Sequence, residues 1–235
     1  MKNNHWSSLT KVAKRAAIFL LLAFAVCWFG VDWLYLILAE PILKVLPDSF
    51  LVSISLLNSI LMPLQLSWYV SLGLTIPYFL FELWRFIAPA LTKSENNVLW
   101  PIIFSSWFLF CLGAWFAYSL VFPIVFGFLV GVTPVTVHLM PDVMTYLEFC
   151  VSLILTFGSA AQLPLVMVVL TISQLVSLDF WLESRAYAIL FAFVLGMLLT
   201  PPDVMSQVLL AIPLWCLYEL GIVFIRVFCL NKLEK

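Results

Sequence analysis

Six long apolar runs, separated by short polar stretches, dominate the pattern of residues along this chain. A helix needs about 20 mostly apolar residues to cross the ~30 Å hydrocarbon core of a bilayer. Each run is long enough, or nearly long enough, to cross. The pattern therefore predicts an all-α chain with six transmembrane helices, at about residues 16–38, 64–86, 98–126, 146–172, 186–200 and 204–227.

The fifth and sixth predicted helices are unusually short in apolar length. At about 1.5 Å per residue, residues 186–200 span only ~22 Å, and the sixth keeps a fully apolar character only over residues 208–218. Two neighbouring short helices favour a locally thinned bilayer. The sequence TPPD (200–203) between them is typical of a sharp turn, because proline and Asp203 both suit the first turn of a helix.

Prolines recur inside the predicted helices, at Pro77, Pro123, Pro164 and Pro213. Each removes a backbone hydrogen bond and favours a kink. Four such kinks indicate helices that curve around a concave face. The alternative is that these are bends tolerated for packing, since proline is frequent in membrane helices.

The composition agrees with a polytopic membrane protein. Of 235 residues, 65% are hydrophobic and 10% are charged, against roughly 25% charged in soluble domains. We find no repeat and no soluble segment, so we predict a single domain over residues 1–235. The net charge of −1 implies no attraction to nucleic acid. The first apolar run is too long for a signal-peptide core, so we expect no cleavage there.

Basic residues predict the orientation of the helices. Ten of the eleven lysines and arginines fall on one side of the predicted bundle, and only Lys44 falls on the other. Positive charge accumulates in cytoplasmic loops. We therefore predict that both termini are cytoplasmic, which agrees with an even number of crossings.

Polar residues at membrane depth are functional candidates. Gln162, near the middle of the fourth helix, either joins two helices of the bundle or docks a partner. Glu219 either pairs with Arg226 or the basic C-terminus, or forms a polar site on a concave surface. For Glu82, an i,i+3 ion pair with Arg85 is the favoured interpretation.

Glu95 lies in the short inner connection FIAPALTKSENN (86–97). As an acid just before the third helix it favours a helix N-terminus, with Ser94 or Asn97 as the cap. The alternative is a carboxylate that binds an arginine of a partner. Arginine pairs with carboxylates in a bidentate manner, so one acid on a basic surface can be selective.

Enzyme and cofactor chemistry has no signature here. The sequence lacks nucleophile, zinc and phosphate-binding motifs, the five cysteines form no pair motif, and His5 and His138 are far apart. We expect no catalytic residue, no metal and no cofactor. The main rival to a binding protein is a secondary transporter or channel subunit, which favours more ionisable residues and inverted repeats.

Four stretches resemble one family in the same order. LWRFIAPALTKSE (83–95) resembles its first cytoplasmic loop, FAYSLVFPIVFGF (116–128) its third helix, and FGSAAQLPLVMVVL (157–170) its F-G-x-x-F-[EQ]-x-P element. LLTPPDVMSQVLLAIPLWCLYELGI (198–222) resembles its most distinctive signature. The family is TatC, the receptor subunit of the twin-arginine protein translocase.

The resemblance implies a receptor that binds twin-arginine signal peptides of folded proteins at the cytoplasmic face of the bacterial inner membrane. It also implies recruitment of TatB-like and TatA-like single-span subunits into a multimeric complex. Export is then driven by the proton-motive force, and no covalent bond is broken.

The resemblance also assigns roles to residues. Glu95 matches the glutamate that contacts signal-peptide arginine, and the same site takes in Phe86, Pro89, Leu9 and His5. A second set matches intramembrane polar or partner-docking positions: Gln162, Pro164, Glu219, Asp203 and Tyr118. Pro123 matches another third-helix position.

Three positions depart from the family pattern. In HWSSLTKVAKR (5–15), Ser8 stands where the resemblance expects a glutamate and Thr10 where it expects an arginine. Ala161 replaces a residue that is usually aromatic. One of the two acids expected to meet a twin-arginine motif is therefore missing, which bears on signal affinity more than on the fold.

Overall fold

The computed structural model describes residues 3–45, 51–53, 55–87, 99–132, 140–200 and 204–233. Within these ranges the chain is a bundle of α-helices. They are α1 (Asn3–Phe29), α2 (Val31–Val45), α3 (Leu56–Ile87), α4 (Leu99–Phe116), α5 (Phe122–Val132), α6 (Val143–Ala160), α7 (Leu163–Ile172), α8 (Leu178–Glu183), α9 (Arg185–Leu199) and α10 (Val204–Leu233). A π-helical segment, Ala117–Val121, joins α4 to α5.

Five helical stretches among the described residues are long and apolar enough to cross a membrane: Val12–Phe29, Leu57–Leu80, Phe104–Gly131, Val143–Ile172 and Val204–Val227. The fifth predicted span corresponds to α9, a shorter apolar helix of 15 residues. The all-α, multi-pass membrane fold predicted from the apolar pattern is confirmed. The count of six crossings stays a prediction.

The predicted first helix, 16–38, differs most from the structure. The helix begins at Asn3, ends at Phe29, and is followed at Gly30 by a separate helix, α2. Glycine inside a helix is about 1 kcal/mol less favourable than alanine, so Gly30 is a weak point in the run. Beyond it, α2 packs against α5 and α3 as well as α6, which a single straight helix would not reach.

The predicted third helix, 98–126, is interrupted near its middle by the π-helical segment. Pro123 has no amide hydrogen to offer to the carbonyl of Ser119 and its ring crowds that carbonyl. The wider π turn accommodates both effects, as π-bulges inside α-helices commonly do. The predicted fourth helix, 146–172, likewise breaks into α6 and α7 at Ala161–Gln162, next to Pro164.

Glycines let two central helices approach closely. A Cβ atom built on Gly113 of α4 would lie 2.5 Å from the carbonyl oxygen of Phe157 on α6. A Cβ on Gly158 would lie 2.7 Å from the ring of Phe110. Small residues at such contacts are how membrane helices gain packing when water supplies no driving force between them. The contact of α4 with α6 therefore forms the tight centre of the bundle.

Buried side chains form two clusters. The larger one is built on Phe122, Phe126, Leu153 and Phe157. The smaller one, Met167, Tyr218, Ile222 and Ile225, joins α7 to α10. At the opposite end from Arg15 and Arg185, Val52 before α3 and Asp142 before α6 form an isolated β-bridge.

Candidate ligand-binding site

Helices α1 and α3 lie side by side in antiparallel register. The Phe19 and Tyr78 rings stack with centroids 4.3 Å apart and planes 6° apart, and Phe24 meets Trp68 at 6.2 Å further along. The residue numbers fall on α3 as they rise on α1, so the first turns of α1 run beside the end of α3. This is the end of the bundle that carries Arg15 and Arg185, called the basic end below.

The basic end holds the helical part of the predicted signal-peptide site. His5 and Leu9 lie in the first turns of α1, and Phe86 is in the last turn of α3. Continuing the register of α1 and α3 places the backbone of Leu9 at the level where α3 ends. Pro89 and Glu95 lie outside the described residues, and so does Asp203.

Glu82 has a different described partner from the one predicted. Its carboxylate is 3% exposed, and Arg15 Nη1 of α1 lies 3.5 Å from Glu82 Oε2. The hydroxyl of Tyr78 donates to Glu82 Oε1 at 3.2 Å. The predicted i,i+3 partner, Arg85, has a side chain outside the described part of the structure. Sequence spacing points only to neighbours on the same helix, whereas Arg15 comes from the facing one.

Gln162 is fully engaged with a residue that the sequence analysis did not single out. Its amide Nε2 donates to the carbonyl oxygen of Ser106 at 2.8 Å, and Ser106 Oγ donates to Gln162 Oε1 at 3.0 Å. The side chain is 2% exposed. The pair joins the turn after α6 to α4. Of the two interpretations left open, the structure shows the helix-joining bond, and the docking role stays a prediction.

Gln162 also lies on the wall of a groove of about 410 Å³ between α3 and the α6–α7 turn. Its other walls are almost entirely apolar and include Ile76, Phe79 and Val166. Pro164 is buried in the first turn of α7, where its missing amide hydrogen leaves no bond unmade. A Cβ on Gly221 of α10 would come within 3.2 Å of Pro164 Cα, so this turn is held against α10.

Glu219 forms an ion pair with Arg185, not with Arg226 as one interpretation held. Arg185 Nη2 lies 2.8 Å from Glu219 Oε2, and both side chains are partly exposed. The pair links the start of α9 to α10 at the basic end. Next to it, the Tyr218 hydroxyl donates to the carbonyl oxygen of Trp181 at 2.7 Å. These bonds attach α8, α9 and α10 to one another.

Tyr118 lies in the π-helical segment. Its hydroxyl is 3.1 Å from the carbonyl oxygen of Ile37 and 3.0 Å from Glu40 Oε2, so it attaches the third span to α2. Lys44 Nζ lies 2.7 Å from the same carboxylate. Hydrogen bonds from Lys44 and Tyr118 lower the pKa of Glu40 below its ordinary value. This cluster is at the opposite end of the bundle from Arg15 and Glu82.

A second groove, about 680 Å³, opens between α6, α8, α9 and α10. Aromatic side chains line much of it, including Phe180, Trp181, Tyr187 and Phe191. No group of three or more His, Cys, Asp or Glu side chains that could hold a metal is present among the described residues. The described acids and bases of the basic end are therefore arranged for ion pairing, with carboxylates facing guanidinium groups.

Two residues at these sites escaped the sequence analysis. Ser106 is one of two neighbouring serines in the apolar stretch IIFSSWFLF (102–110), and it is the partner of Gln162. Arg15 follows Lys14 at the start of an apolar run and was counted only for its charge. In both cases one signal was available in the sequence. Each residue lies at about the same depth in its helix as a polar residue of another helix: Ser106 matches Gln162, and Arg15 matches Glu82.

Comparison with known proteins gives one consistent result. The family model described as "Sec-independent protein translocase protein (TatC)" matches residues 4–213. The protein of that name from Halothiobacillus neapolitanus is 41% identical over 203 residues, which are 86% of this chain and 56% of the relative. The protein of that name from Escherichia coli (strain K12) is 37% identical over 225 residues, 95% of this chain and 87% of the relative.

A solved structure resembles the whole bundle. The crystal structure of a twin arginine translocase receptor, TatC, superposes with a TM-score of 0.86 at 33% sequence identity. The superposition covers 95% of this chain and 99% of the solved chain. The similarity therefore extends over both the α1–α3 and the α9–α10 helix pairs.

Proposed function

The chain belongs to the TatC family of Sec-independent protein translocase proteins, and on that premise we propose that it binds the twin-arginine signal peptides of folded proteins. The observation that carries the proposal is the superposition, over 95% of the chain, on a structure described as a twin-arginine translocase receptor. The family is a non-enzymatic translocase component, and the role is one of recognition.

Arginine recognition centres on Glu95. It is the sole acid in the connection between α3 and α4, on a side of the bundle that carries ten of eleven basic residues. Such a surface repels a cationic peptide, so attraction has to come from a local carboxylate. A bidentate carboxylate–guanidinium pair supplies it and favours arginine over lysine. The aromatic ring of Phe86, the ring of Pro89 and the α1 residues His5 and Leu9 complete the site.

Partner subunits dock along the membrane-embedded surface. We assign TatB-like and TatA-like single-span helices to the surfaces around Gln162, Pro164, Tyr118, Asp203 and Glu219. The groove beside Gln162 supports this, because an apolar channel with a buried amide at its wall offers packing and one polar contact. The amide is already bonded to Ser106, so a partner would share that bond or replace it.

The protein acts in the bacterial cytoplasmic membrane with both termini in the cytoplasm, within a multimeric complex driven by the proton-motive force. Cysteine labelling tests this orientation. In a chain cleared of its five native cysteines, a cysteine at Asp48 or Asp142 should react with an impermeant reagent outside intact cells. A cysteine at Glu95 should not. Reaction at Glu95 would contradict the orientation and the function together.

Cross-linking to a signal peptide tests the function. A twin-arginine peptide should cross-link to the purified full chain, and its twin-lysine version should do so at least tenfold less. Loss of one partner of a close interfacial charge pair costs about 2–5 kcal/mol, roughly 30-fold or more in affinity. Glu95→Ala should therefore abolish detectable binding, and Ser8→Glu should strengthen it. High salt should weaken binding to the unmodified chain.

The matched control is Glu148→Ala, which removes an exposed acid from α6 near the opposite end of the bundle. It should bind the peptide like the unmodified chain. If Glu95→Ala also binds like the unmodified chain, the receptor assignment of this connection fails, and Glu95 is better explained as an acid at the start of α4.

A further inference from the structure

The contact between Arg15 and Glu82 joins two groups of very different exposure. The Glu82 side chain is 3% exposed, whereas the Arg15 side chain is 49% exposed. The acid is fixed within α3, with Tyr78 on its other oxygen. The base reaches it from α1 and keeps half of its surface free. Arg15 therefore covers a buried carboxylate while half of its own surface stays hydrated. It can exchange for another cation at little cost, whereas leaving without a replacement would strand a buried charge.

The contact is also loose. Arg15 Nη1 and Glu82 Oε2 are 3.5 Å apart, whereas charge-assisted bonds of this kind are about 2.7–2.9 Å long. An ionised carboxylate has roughly four acceptor positions. The described side chains fill two of them at long distance, Arg15 at 3.5 Å and Tyr78 at 3.2 Å. A guanidinium that approached both oxygens closely would be bound more tightly than Arg15 is.

The position of Glu82 relates it to the missing acid of the α1 helix. Ser8 precedes Arg15 by seven residues, which is about two helical turns, so the two lie on the same face of α1. That face meets α3, because Arg15 contacts Glu82. Glu82 is thus an acid on the facing helix, about 10 Å along the axis from Ser8. It lies two residues beyond the apolar stretch Leu57–Leu80.

We propose that Glu82 is a second carboxylate for an arginine side chain of the signal peptide, and that Arg15 occupies it until the peptide arrives. The inference rests on the proposed function. One arginine of the peptide meets Glu95, and the other displaces Arg15 from Glu82. One guanidinium replaces another, so the exchange leaves no buried carboxylate unpaired. Arg15 is then an internal competitor of the peptide.

If Arg15 competes with the peptide, removing Arg15 should strengthen peptide binding rather than weaken it. When a site is available for only a fraction of the time, the apparent Kd equals the intrinsic Kd divided by that fraction. If Arg15 covers Glu82 for most of the time, its removal should tighten binding of a twin-arginine peptide about threefold to tenfold. A purely structural role of Arg15 predicts equal or weaker binding, since helices α1 and α3 would lose a contact.

The experiment measures peptide affinity for the full chain reconstituted in lipid nanodiscs. Arg15→Gln should bind the twin-arginine peptide about threefold to tenfold more tightly. Glu82→Gln should bind it about tenfold more weakly and should lose part of its preference over peptides in which one arginine is replaced by lysine. Glu148→Gln is the control for loss of an acid and should bind unchanged. The thermal midpoint of each variant shows that it is folded.

The outcomes separate this inference from the proposed function. If the unmodified chain prefers twin-arginine to twin-lysine peptide and Glu95→Ala abolishes binding, the proposed function holds. Within that result, an Arg15→Gln variant that binds no tighter than the unmodified chain overturns the role of Arg15 and Glu82. This arm stays decisive even if Glu82→Gln does not fold. If the unmodified chain shows no arginine preference, both proposals fail.

Discussion

Helices α9 and α10 are held together by directional polar bonds, whereas α1 and α3 are held together mostly by rings. In the first pair, Arg185 and Glu219 lie 2.8 Å apart and Gln207 Nε2 donates to the Phe193 carbonyl oxygen at 2.8 Å. In the second pair, the ion contact is 3.5 Å long, and the described ring contacts are led by the stacked Phe19 and Tyr78.

This difference indicates which pair of helices can change its relative arrangement more easily. A short hydrogen bond weakens steeply when its geometry is disturbed, so α9 and α10 have one favoured arrangement. Stacked rings tolerate small displacements, because their attraction is spread over many atoms. Burial differs in the same direction. In an 18-residue apolar stretch of α10, 39% of the residues are buried, but only 11% are buried in the corresponding stretch of α1. We therefore expect the α9–α10 pair to hold its arrangement more strictly than the α1–α3 pair.

The largest expected effect comes from double-mutant cycles on the two ion pairs. With Arg185→Gln and Glu219→Gln, we expect a coupling energy of about 1–1.5 kcal/mol. With Arg15→Gln and Glu82→Gln, we expect a smaller coupling energy, because the contact is long and Arg15 is half exposed. Unfolding in detergent, followed by thermal midpoint and by denaturant, measures both. Equal couplings would remove the contrast between the pairs.

Alanine substitution at two glycines should change the stability of the protein in opposite directions. A Cβ on Gly196 of α9 would lie 3.0 Å from the carbonyl oxygen of Gln207 on α10, so Gly196→Ala should destabilise by about 1 kcal/mol. At ~2–4 °C per kcal/mol this is a visible loss in the thermal midpoint. Gly30→Ala, after α1, meets nothing closer than 3.8 Å and should stabilise by about 0.4–1 kcal/mol. A gain at Gly196 would show that α9 and α10 can separate cheaply.

A third region, the bond between Gln162 and Ser106, lies between the two pairs. Ser106→Ala removes one of its two hydrogen bonds and should cost about 0.6 kcal/mol. Gln162→Leu removes both and should cost somewhat more, while leaving the chain inserted and weakening cross-links to a partner helix. Ser106→Ala is the control, because it leaves the groove lining unchanged. Equal loss of cross-links in both variants would mean that the effect passes through the bundle.

The smallest contrast between the two helix pairs comes from one hydroxyl in each region. Tyr218→Phe removes a 2.7 Å bond to the Trp181 carbonyl oxygen and should cost about 1 kcal/mol. Tyr78→Phe removes only the 3.2 Å bond to Glu82 and keeps the stacked ring, so about 0.5 kcal/mol or less is expected. Thermal midpoints of the two variants test the order. A larger loss at Tyr78 would mark the α1–α3 pair as the more rigid one.

The sequence predicted the elements that depend on local information. Apolar length is a property of one segment, and so the second, fifth and sixth helices agree with α3, α9 and α10 in place, although α3 and α10 extend further. The break at Gly30 was not predicted, whereas the π-helical segment Ala117–Val121 lies just before Pro123, where a kink was predicted. A glycine or proline shows where a helix is weak, but packing of the following segment decides whether it bends, breaks or stays straight.

Side-chain partners were the part that the sequence could not supply. Spacing suggested Arg85 for Glu82 and Arg226 for Glu219, because each lies on the same helix. The described partners are Arg15 and Arg185, on other helices. An ion pair between helices depends on their relative rotation and depth, which follow from close contacts such as Gly113 with Phe157. Gln162 was identified as a buried polar residue, but its partner Ser106 required the packed bundle.

The Gln162–Ser106 bond has a consequence for the order in which the protein is made. An amide left without a partner in hydrocarbon costs several kcal/mol. Ser106 precedes Gln162 by 56 residues, so the ribosome delivers the serine helix to the membrane first. When the segment that contains Gln162 enters the membrane, its side-chain amide can bond at once to the hydroxyl and the carbonyl oxygen of Ser106. We therefore expect α4 to be in place before α6 and α7 enter the bundle, because only then does Gln162 find its partner Ser106 on arrival.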